Sequence, residues 1–315
     1  MRFVFVMDPL DRVTHDKDTT FAFLRAAQAL GHTSFHCLAR DLGVEGGDAV
    51  GRCTPVEVLP GPPWIVLHKD RAERLKMREQ HAVFIRTDPP FDRRYFYLTL
   101  VLERARGGPV IVNDPRGLRD ANEKLYALNF PELTPRTIVT SDRDRIHAFV
   151  AELGGVGIIK PLDGAGGAGV LQLRADDKNV RAIVDTLTHE GTRIAMVQEF
   201  LPAVTEGDKR VLLLDGEVLG AILRVPRADE LRSNIHVGGS VVPAELTDKE
   251  RAMVAAMAPR LKQDGLVFVG LDVIGERLTE VNVTSPTGIQ ELGRFTGTKP
   301  EEKVIRWVEE RAPKL

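Results

Sequence analysis

Apolar positions follow two rhythms along this chain. Arg2–Met7, Ser34–Leu38, Ala82–Arg86 and Val110–Asn113 are short apolar runs that read as strands. Between them, Thr19–Leu30 sets Phe23, Ala27 and Leu30 on one helical face, and Arg93–Arg106 reads as a second helix. Alternation of this kind predicts a mainly parallel sheet with helices on both faces. Gly43–Lys69 is richer in Gly and Pro and lacks a clear period, so it reads as an excursion from that sheet.

A second unit opens near Leu118. Ser141 is the expected N-cap of a helix whose Ile146, Phe149, Val150 and Leu153 share one face. Strand-like Val156–Pro161 and Val170–Arg174 flank a glycine loop, and a helix near Asp177–His189 leads to the strand-like Ala195–Leu201. Beyond residue 200 the pattern changes to hairpins. Arg210–Leu214 and Val218–Val225 flank Asp215-Gly216, a type I′ turn signal. Thr247 and Glu250 have the spacing of a capping box and open a helix carrying Met253, Met257 and Leu261.

Composition narrows the setting more than the activity. The 315 residues are 43% hydrophobic, enough for two or three packed units. With 43 basic against 45 acidic residues the formal net charge is −2, which argues against a dedicated nucleic-acid binder. Cys37 and Cys53 form no CxxC pair, so neither a disulfide framework nor a zinc site is expected. The apolar run Phe3–Met7 is too short for a signal peptide or a membrane span. The expectation is a soluble, cytoplasmic protein.

The candidate chemistry begins at IIKPLDGAGGAGV, residues 158–170. A P-loop needs GxxxxGK[ST] opening a helix, and a dinucleotide fold needs GxGxxG at a strand-to-helix turn. Here Lys160 precedes the glycines and a second strand follows them, so neither signature fits. A glycine-rich turn between two strands can fold over phosphates, its N–H groups donating without Cβ obstruction. An ordinary tight hairpin with one solvated lysine fits the same letters.

The stretch GLDVIGERLTEVNVTSPTG, residues 270–288, carries Asp272, Glu280 and Asn282. Glu280 and Asn282 share a face on a strand, and a three-residue loop at Gly275–Arg277 would set Asp272 directly opposite Glu280. Three hard oxygen ligands on one patch suit Mg²⁺ carried in with nucleotide phosphates, against the plainer alternative of a solvated hairpin face. Arg86, Arg210 and Arg224 lie at the ends of predicted strands, where open sheets place anionic ligands. Lys124, on the predicted helical stretch Asn122-Glu123-Lys124, is a further phosphate contact or a solvent-facing helix lysine. Residues 226–241 (PRADELRSNIHVGGSV) read as a long lid loop, with Asn234, Gly238 and Gly239 as candidate substrate contacts.

Taken in order, these residues resemble the bacterial glutathione synthetases of the ATP-grasp superfamily along nearly the whole chain. The matching stretches are MDP at 7–9, RTDPPFD at 86–92, NEKL at 122–125, KPLDGAGG at 160–167, GDKRVL at 207–212, FVGLDVIG at 268–275 and TEVNVTSPTGI at 279–289. The resemblance implies an α/β and α+β architecture, the ATP-grasp fold. In it a doubly wound domain, residues 1–120, precedes a lid domain, 121–200, and a catalytic domain, 201–315, which clasp ATP. It implies ATP-dependent ligation of γ-glutamylcysteine to glycine through an acyl phosphate, with Mg²⁺ or Mn²⁺ as a pair of ions and a homo-oligomer, commonly a tetramer.

Carried over residue by residue, the resemblance assigns ATP contacts to Lys124, Lys160, Gly164, Gly166, Gly167, Asp208 and Arg210. It assigns adenine contacts to Gln198, Glu199, Phe200 and Leu201, and metal ligation to Asp272, Glu280 and Asn282. The peptide falls to Arg86, Arg210, Arg224, Ser285, Pro286 and Thr287. Two departures bear on the amine. The lid reads LRSNIHVGG where RGNLAAGG is more usual, and Gln290 stands where an arginine is often found. Ligation of another amine such as β-alanine, another acyl peptide, or a non-catalytic ATP-binding module are the alternatives.

Overall fold

A computed structural model of the chain describes residues 1–226 and 240–314. The first 120 residues form β1 (Arg2–Met7), α1 (Thr19–Ala29), β2 (Thr33–Cys37), β3 (Leu42–Glu45), β4 (Asp48–Val58), β5 (Ile65–Leu67), β6 (Glu73–Lys76), β7 (Ala82–Arg86), α2 (Arg93–Leu102), β8 (Val110–Val112) and α3 (Pro115–Asp120). Strands β2, β1, β7 and β8 run parallel, as the strand–helix alternation predicts. The segment expected to leave the sheet instead extends it. β4 pairs antiparallel to β2 and carries β3, β5 and β6 along its length, making eight strands. Its burial changes along its length as its neighbours change, so no single period marks it in the sequence.

The second sheet is antiparallel, with strand order β11-β10-β12-β9. It is built from β9 (Thr137–Thr140), α4 (Arg143–Glu152), β10 (Val156–Pro161), β11 (Leu171–Arg174), α5 (Val180–Leu187) and β12 (Ala195–Glu199). The N-cap of α4 is Asp142 rather than Ser141: its Oδ1 accepts from Arg145 N at 3.0 Å. The carboxylate is as good a cap as a serine hydroxyl, and it takes the position one residue later.

The third sheet, also antiparallel, has the order β15-β14-β13-β16-β17. Its elements are β13 (Asp208–Leu214), β14 (Glu217–Val225), β15 (Ser240–Ala244), α6 (Asp248–Gln263), β16 (Phe268–Ile274) and β17 (Arg277–Asn282), followed by α7 (Ile289–Thr296) and α8 (Pro300–Arg311). Asp215 and Gly216 turn at φ 50° and 75°, the pair of positive values that a type I′ hairpin needs. The Thr247/Glu250 capping box forms as read.

Burial divides the molecule unevenly. Apolar residues of the first and third sheets merge into shared cores, with Val4 and Ile85 in the same cluster as Val211 and Leu271. Buried Asn113 reinforces this union. Its Oδ1 accepts from Val267 N and Phe268 N, both at 2.8 Å, while its Nδ2 donates to Phe268 O and Val283 O. The second sheet keeps a core of its own, around Ile146, Phe149, Ile159, Leu173 and Val197. It is therefore the element with least apolar surface committed to its neighbours.

Candidate active site

Residues from all three sheets line one cavity of about 1100 Å³. Every described residue assigned a ligand contact from the sequence lies on its wall. These are Arg86, Lys124, Lys160, Gly164, Gly166, Gly167, Gln198, Glu199, Phe200, Leu201, Asp208, Arg210, Arg224, Asp272, Glu280, Asn282, Ser285, Pro286 and Thr287. Asn234, Gly238 and Gly239, the candidate lid contacts, lie outside the described residues.

The glycine loop joins β10 to β11, as the flanking strands predict. Gly166, Gly167 and Gly169 have φ of 61°, 80° and 74°, a region that glycine enters without Cβ strain. A Cβ added at Gly164 would stand 2.8 Å from Ala168 O, so the loop's tight turn needs glycine there too. At the end of β10, buried Lys160 donates from Nζ to Thr279 O at 3.2 Å. Burial pulls its pKa down to about 8, while nearby Glu280 works in the opposite direction.

Lys124 is not a solvent-facing helix residue. It occupies a turn between α3 and the short 3₁₀ segment Tyr126–Asn129 and is only 5% exposed. Its Nζ donates to Gly164 O at 2.5 Å and to Glu280 Oε1 at 2.8 Å. One ammonium group therefore bridges the glycine loop and the acidic strand. Asn122 fixes this turn by accepting from Lys124 N and Leu125 N through its side-chain oxygen.

The acidic set has the register expected of it but reaches it by another route. Ile274 pairs with Arg277, so the β16–β17 loop is the two-residue Gly275-Glu276. A bulge then leaves Thr279 unpaired and restores Asp272 opposite Glu280, with Asn282 opposite Gly270. The bulge has its own use, since the carbonyl of Thr279 is the one that receives Lys160.

Among the described residues no cluster of three or more His, Cys, Asp or Glu side chains is arranged to hold a metal. The candidate donors are two carboxylates and one amide. Asn282 spends its Nδ2 on Gly270 O at 3.2 Å, which leaves its oxygen as the donor atom for a ligand. Hard oxygen donors of this kind suit Mg²⁺ or Mn²⁺.

The three arginines differ in how they are held. Arg210 forks onto Asp272, Nε to Oδ1 at 2.5 Å and a terminal nitrogen to Oδ2 at 3.0 Å. Arg224 reaches Asp272 Oδ2 at 2.9 Å and also pairs with Asp208. Burial pushes the Asp272 carboxyl up, but Arg210 and then Arg224 outweigh it and hold the group well below the ordinary carboxylate value. Arg86 is a cross-link: it donates to Thr20 Oγ1 and to Pro286 O, between the rings of Phe23 and Phe268.

At the end of β12, Gln198, Glu199, Phe200 and Leu201 line the cavity together with apolar Ile158, Leu171, Val204 and Ile274. Apolar walls beside strand-end backbone form a slot of the kind a flat heterocycle occupies. Several lining residues escaped sequence reasoning. Arg12 ends the short 3₁₀ segment Leu10–Arg12, and Thr14 and Lys17 follow it in a loop, with no signal beyond their charge or polarity. Asp18 carried one in principle, as the acid immediately before a helix, and its Oδ1 caps α1 at Phe21 N. Gln290 points elsewhere: its Nε2 donates to His15 O and Asp18 O, beside a separate hollow of about 490 Å³.

Residues 1–119 match the model of the prokaryotic glutathione synthetase N-terminal domain, and residues 123–297 that of its ATP-grasp domain. The glutathione synthetase of Synechocystis sp. is 42% identical over 99% of this chain and 100% of its own length. That of Shewanella oneidensis is 46% identical over 91% of each chain. Among solved structures, D-cycloserine synthetase DcsG superposes with a TM-score of 0.68 at 16% identity, over 98% of this chain and 99% of that one. The ATP-grasp ligase PsnB, complexed with a phosphomimetic variant of its minimal precursor, Mg and ADP, gives 0.65 at 19% identity over 98% and 97%. At these identities the structural likeness speaks for the fold alone, which is ATP-grasp.

Proposed function

This chain belongs to the prokaryotic glutathione synthetase family, and from that premise we propose how its cleft joins γ-glutamylcysteine to glycine with ATP. The observation that carries the proposal is the convergence, in one cavity, of a glycine loop, buried lysines and an acid–acid–amide strand. Lys124, Lys160 and the N–H groups around Gly164, Gly166 and Gly167 hold the ATP phosphates. Gln198–Leu201 hold the adenine, and Asp208 contributes to the nucleotide site. Asp272, Glu280 and Asn282 would hold Mg²⁺ or Mn²⁺, a pair of ions, which neutralise charge on the phosphates.

A carboxylate is a poor acyl donor, so it must be activated. The cysteine carboxylate of γ-glutamylcysteine attacks the γ-phosphoryl group of ATP, giving an acyl phosphate and ADP. Lys160 and Arg210 face the charge that moves between them. The amine of glycine then attacks the acyl carbon through a tetrahedral oxyanion stabilised by Arg224. The carbon–oxygen bond to phosphate breaks, and the proton lost by the amine leaves with the phosphate. Arg86 acts by holding the Ser285-Pro286-Thr287 turn against the peptide. The acyl phosphate hydrolyses if water reaches it, so the second sheet, with its separate core, closes over it.

On this reading residues 1–120 serve the peptide, 121–200 form the lid and 201–315 carry the chemistry. The enzyme works in the cytoplasm as a homo-oligomer, a tetramer. No helix among the described residues is long and apolar enough to cross a membrane. The test is ADP release with Mg²⁺, ATP and γ-glutamylcysteine across a panel of amines. Glycine-dependent ADP with matching glutathione is the expected result. Turnover with β-alanine and none with glycine would replace the amine assignment.

A further inference from the structure

β17 ends at Asn282, and among the described residues the sheet offers the next two no partner strand. Val283 and Thr284 are nonetheless buried, so their N–H groups need acceptors. One carboxylate oxygen supplies them. Glu123 Oε1 accepts from Val283 N at 2.9 Å, from Thr284 N at 3.0 Å and from Thr284 Oγ1 at 2.8 Å. The carbonyl of the same residue accepts from Val281 N at 2.8 Å. Glu123 thus grips the chain on both sides of Asn282, while Asn113 Nδ2 holds Val283 O at 2.7 Å.

The residues flanking Glu123 reach the opposite wall of the cleft. Asn122 Nδ2 donates to Leu162 O at 3.0 Å, and Lys124 bridges Gly164 O and Glu280. A single three-residue turn therefore touches the glycine loop, the acidic strand and the tail that leads into Ser285-Pro286-Thr287. A carboxylate here is costly, because burial and then the like charge of Glu280 push its pKa up. A charged acceptor is nevertheless the group best able to serve three donors at once, since charge-assisted hydrogen bonds are shorter and stronger than neutral ones.

From this geometry we infer that Glu123 is a positioning residue for the ligase reaction: it fixes Asn282 and the Ser285–Thr287 turn in register with the glycine loop. The inference rests on the proposed reaction for its catalytic consequence. It acts through the backbone of residues 281–284 and takes no proton from substrate. A displacement of about 1 Å in reacting groups costs about 10²-fold in rate. Loss of the latch should therefore appear in kcat while the nucleotide site keeps its other contacts.

The experiment compares wild type with Glu123→Ala, Glu123→Gln and Thr284→Val. Steady-state kinetics, ATP binding by calorimetry and hydrogen exchange across 281–288 are the readouts. Glu123→Ala should lose about 100-fold in kcat with KM for ATP within about threefold, and exchange across 281–288 should rise. Glu123→Gln, which keeps an oxygen acceptor, should recover most of the rate. Thr284→Val, which removes one of the three donors, should show a smaller loss in the same direction even where Glu123→Ala does not fold.

Unchanged exchange across 281–288 in Glu123→Ala, with activity lost only in proportion to the unfolded fraction, would overturn the inference. So would a Gln variant as inactive as Ala with normal exchange, which would mean direct participation in the chemistry. If wild type releases no ADP with γ-glutamylcysteine and glycine, the reaction assignment fails. The exchange and calorimetry arms still judge the latch.

Discussion

Replacing Asp272 by Asn should destabilise the protein by an amount the structure allows to be worked out. Asp272 is 5% exposed and neutralises two buried guanidinium groups. Removing one partner of a buried ion pair costs roughly 3–5 kcal/mol, mostly through the charge left behind. The lower end applies here. Arg224 keeps Asp208 and Arg210 keeps Thr287 O, while asparagine retains one acceptor oxygen. About 3 kcal/mol, at about 2–4 °C per kcal/mol for large domains, corresponds to a fall in unfolding temperature of about 6–12 °C.

Calorimetry or circular dichroism would measure this on ligand-free protein, with urea unfolding as a check on cooperativity. The pH dependence sharpens the test. The native pKa of Asp272 is depressed because Arg210 and Arg224 outweigh burial. A depressed carboxylate stabilises the fold above its unfolded value, about 3.9, and that contribution is lost as pH falls through the native value. The share of the gap owed to the Asp272 carboxylate should persist down to about pH 5 and be lost only below about 4. Asp208, which burial raises to about 7, titrates in a separate window near neutrality. A variant melting within a degree of wild type at neutral pH would refute the argument that Asp272 balances buried charge.

Two further outcomes follow from the same cleft. Glu280→Gln should lower turnover by two or more orders of magnitude, in the range seen when groups stabilising transferring charge are lost, while calorimetry still detects ATP. A near-normal rate would remove Glu280 from the metal site. Because burial brings Lys160 down to about 8, ATP affinity should weaken as pH rises through that value, as the ammonium is lost before phosphate can hold it. Isotherms at rising pH check this, and a profile that stays flat, or one equally steep in Lys160→Met, contradicts it.

The sequence was informative where local chemistry decides the structure. Asp215-Gly216 and the Thr247/Glu250 box announce a turn and a cap through residue types that suit those positions, and both form. Glu280 and Asn282 declare a shared face by spacing alone, whereas Asp272 joins them only through the bulge at Thr279. What stayed hidden depends on distant partners. β4 lacks a period because different strands cover different parts of it. The bulge at Thr279 has no letter of its own, and it is needed only because the loop before it is one residue shorter than expected. The role of Glu123 is legible only when residues 160 positions away fold against it.

An acyl phosphate formed in this cleft would leave a trace that an isotope can follow directly. γ-Glutamylcysteine labelled with ¹⁸O in its cysteine carboxylate would be turned over with ATP and glycine, and the phosphate released analysed by mass spectrometry. One labelled oxygen should pass from carboxylate to inorganic phosphate for each glutathione formed, because the oxygen that attacks phosphorus leaves with it. Glutathione formed alongside unlabelled phosphate would contradict the account.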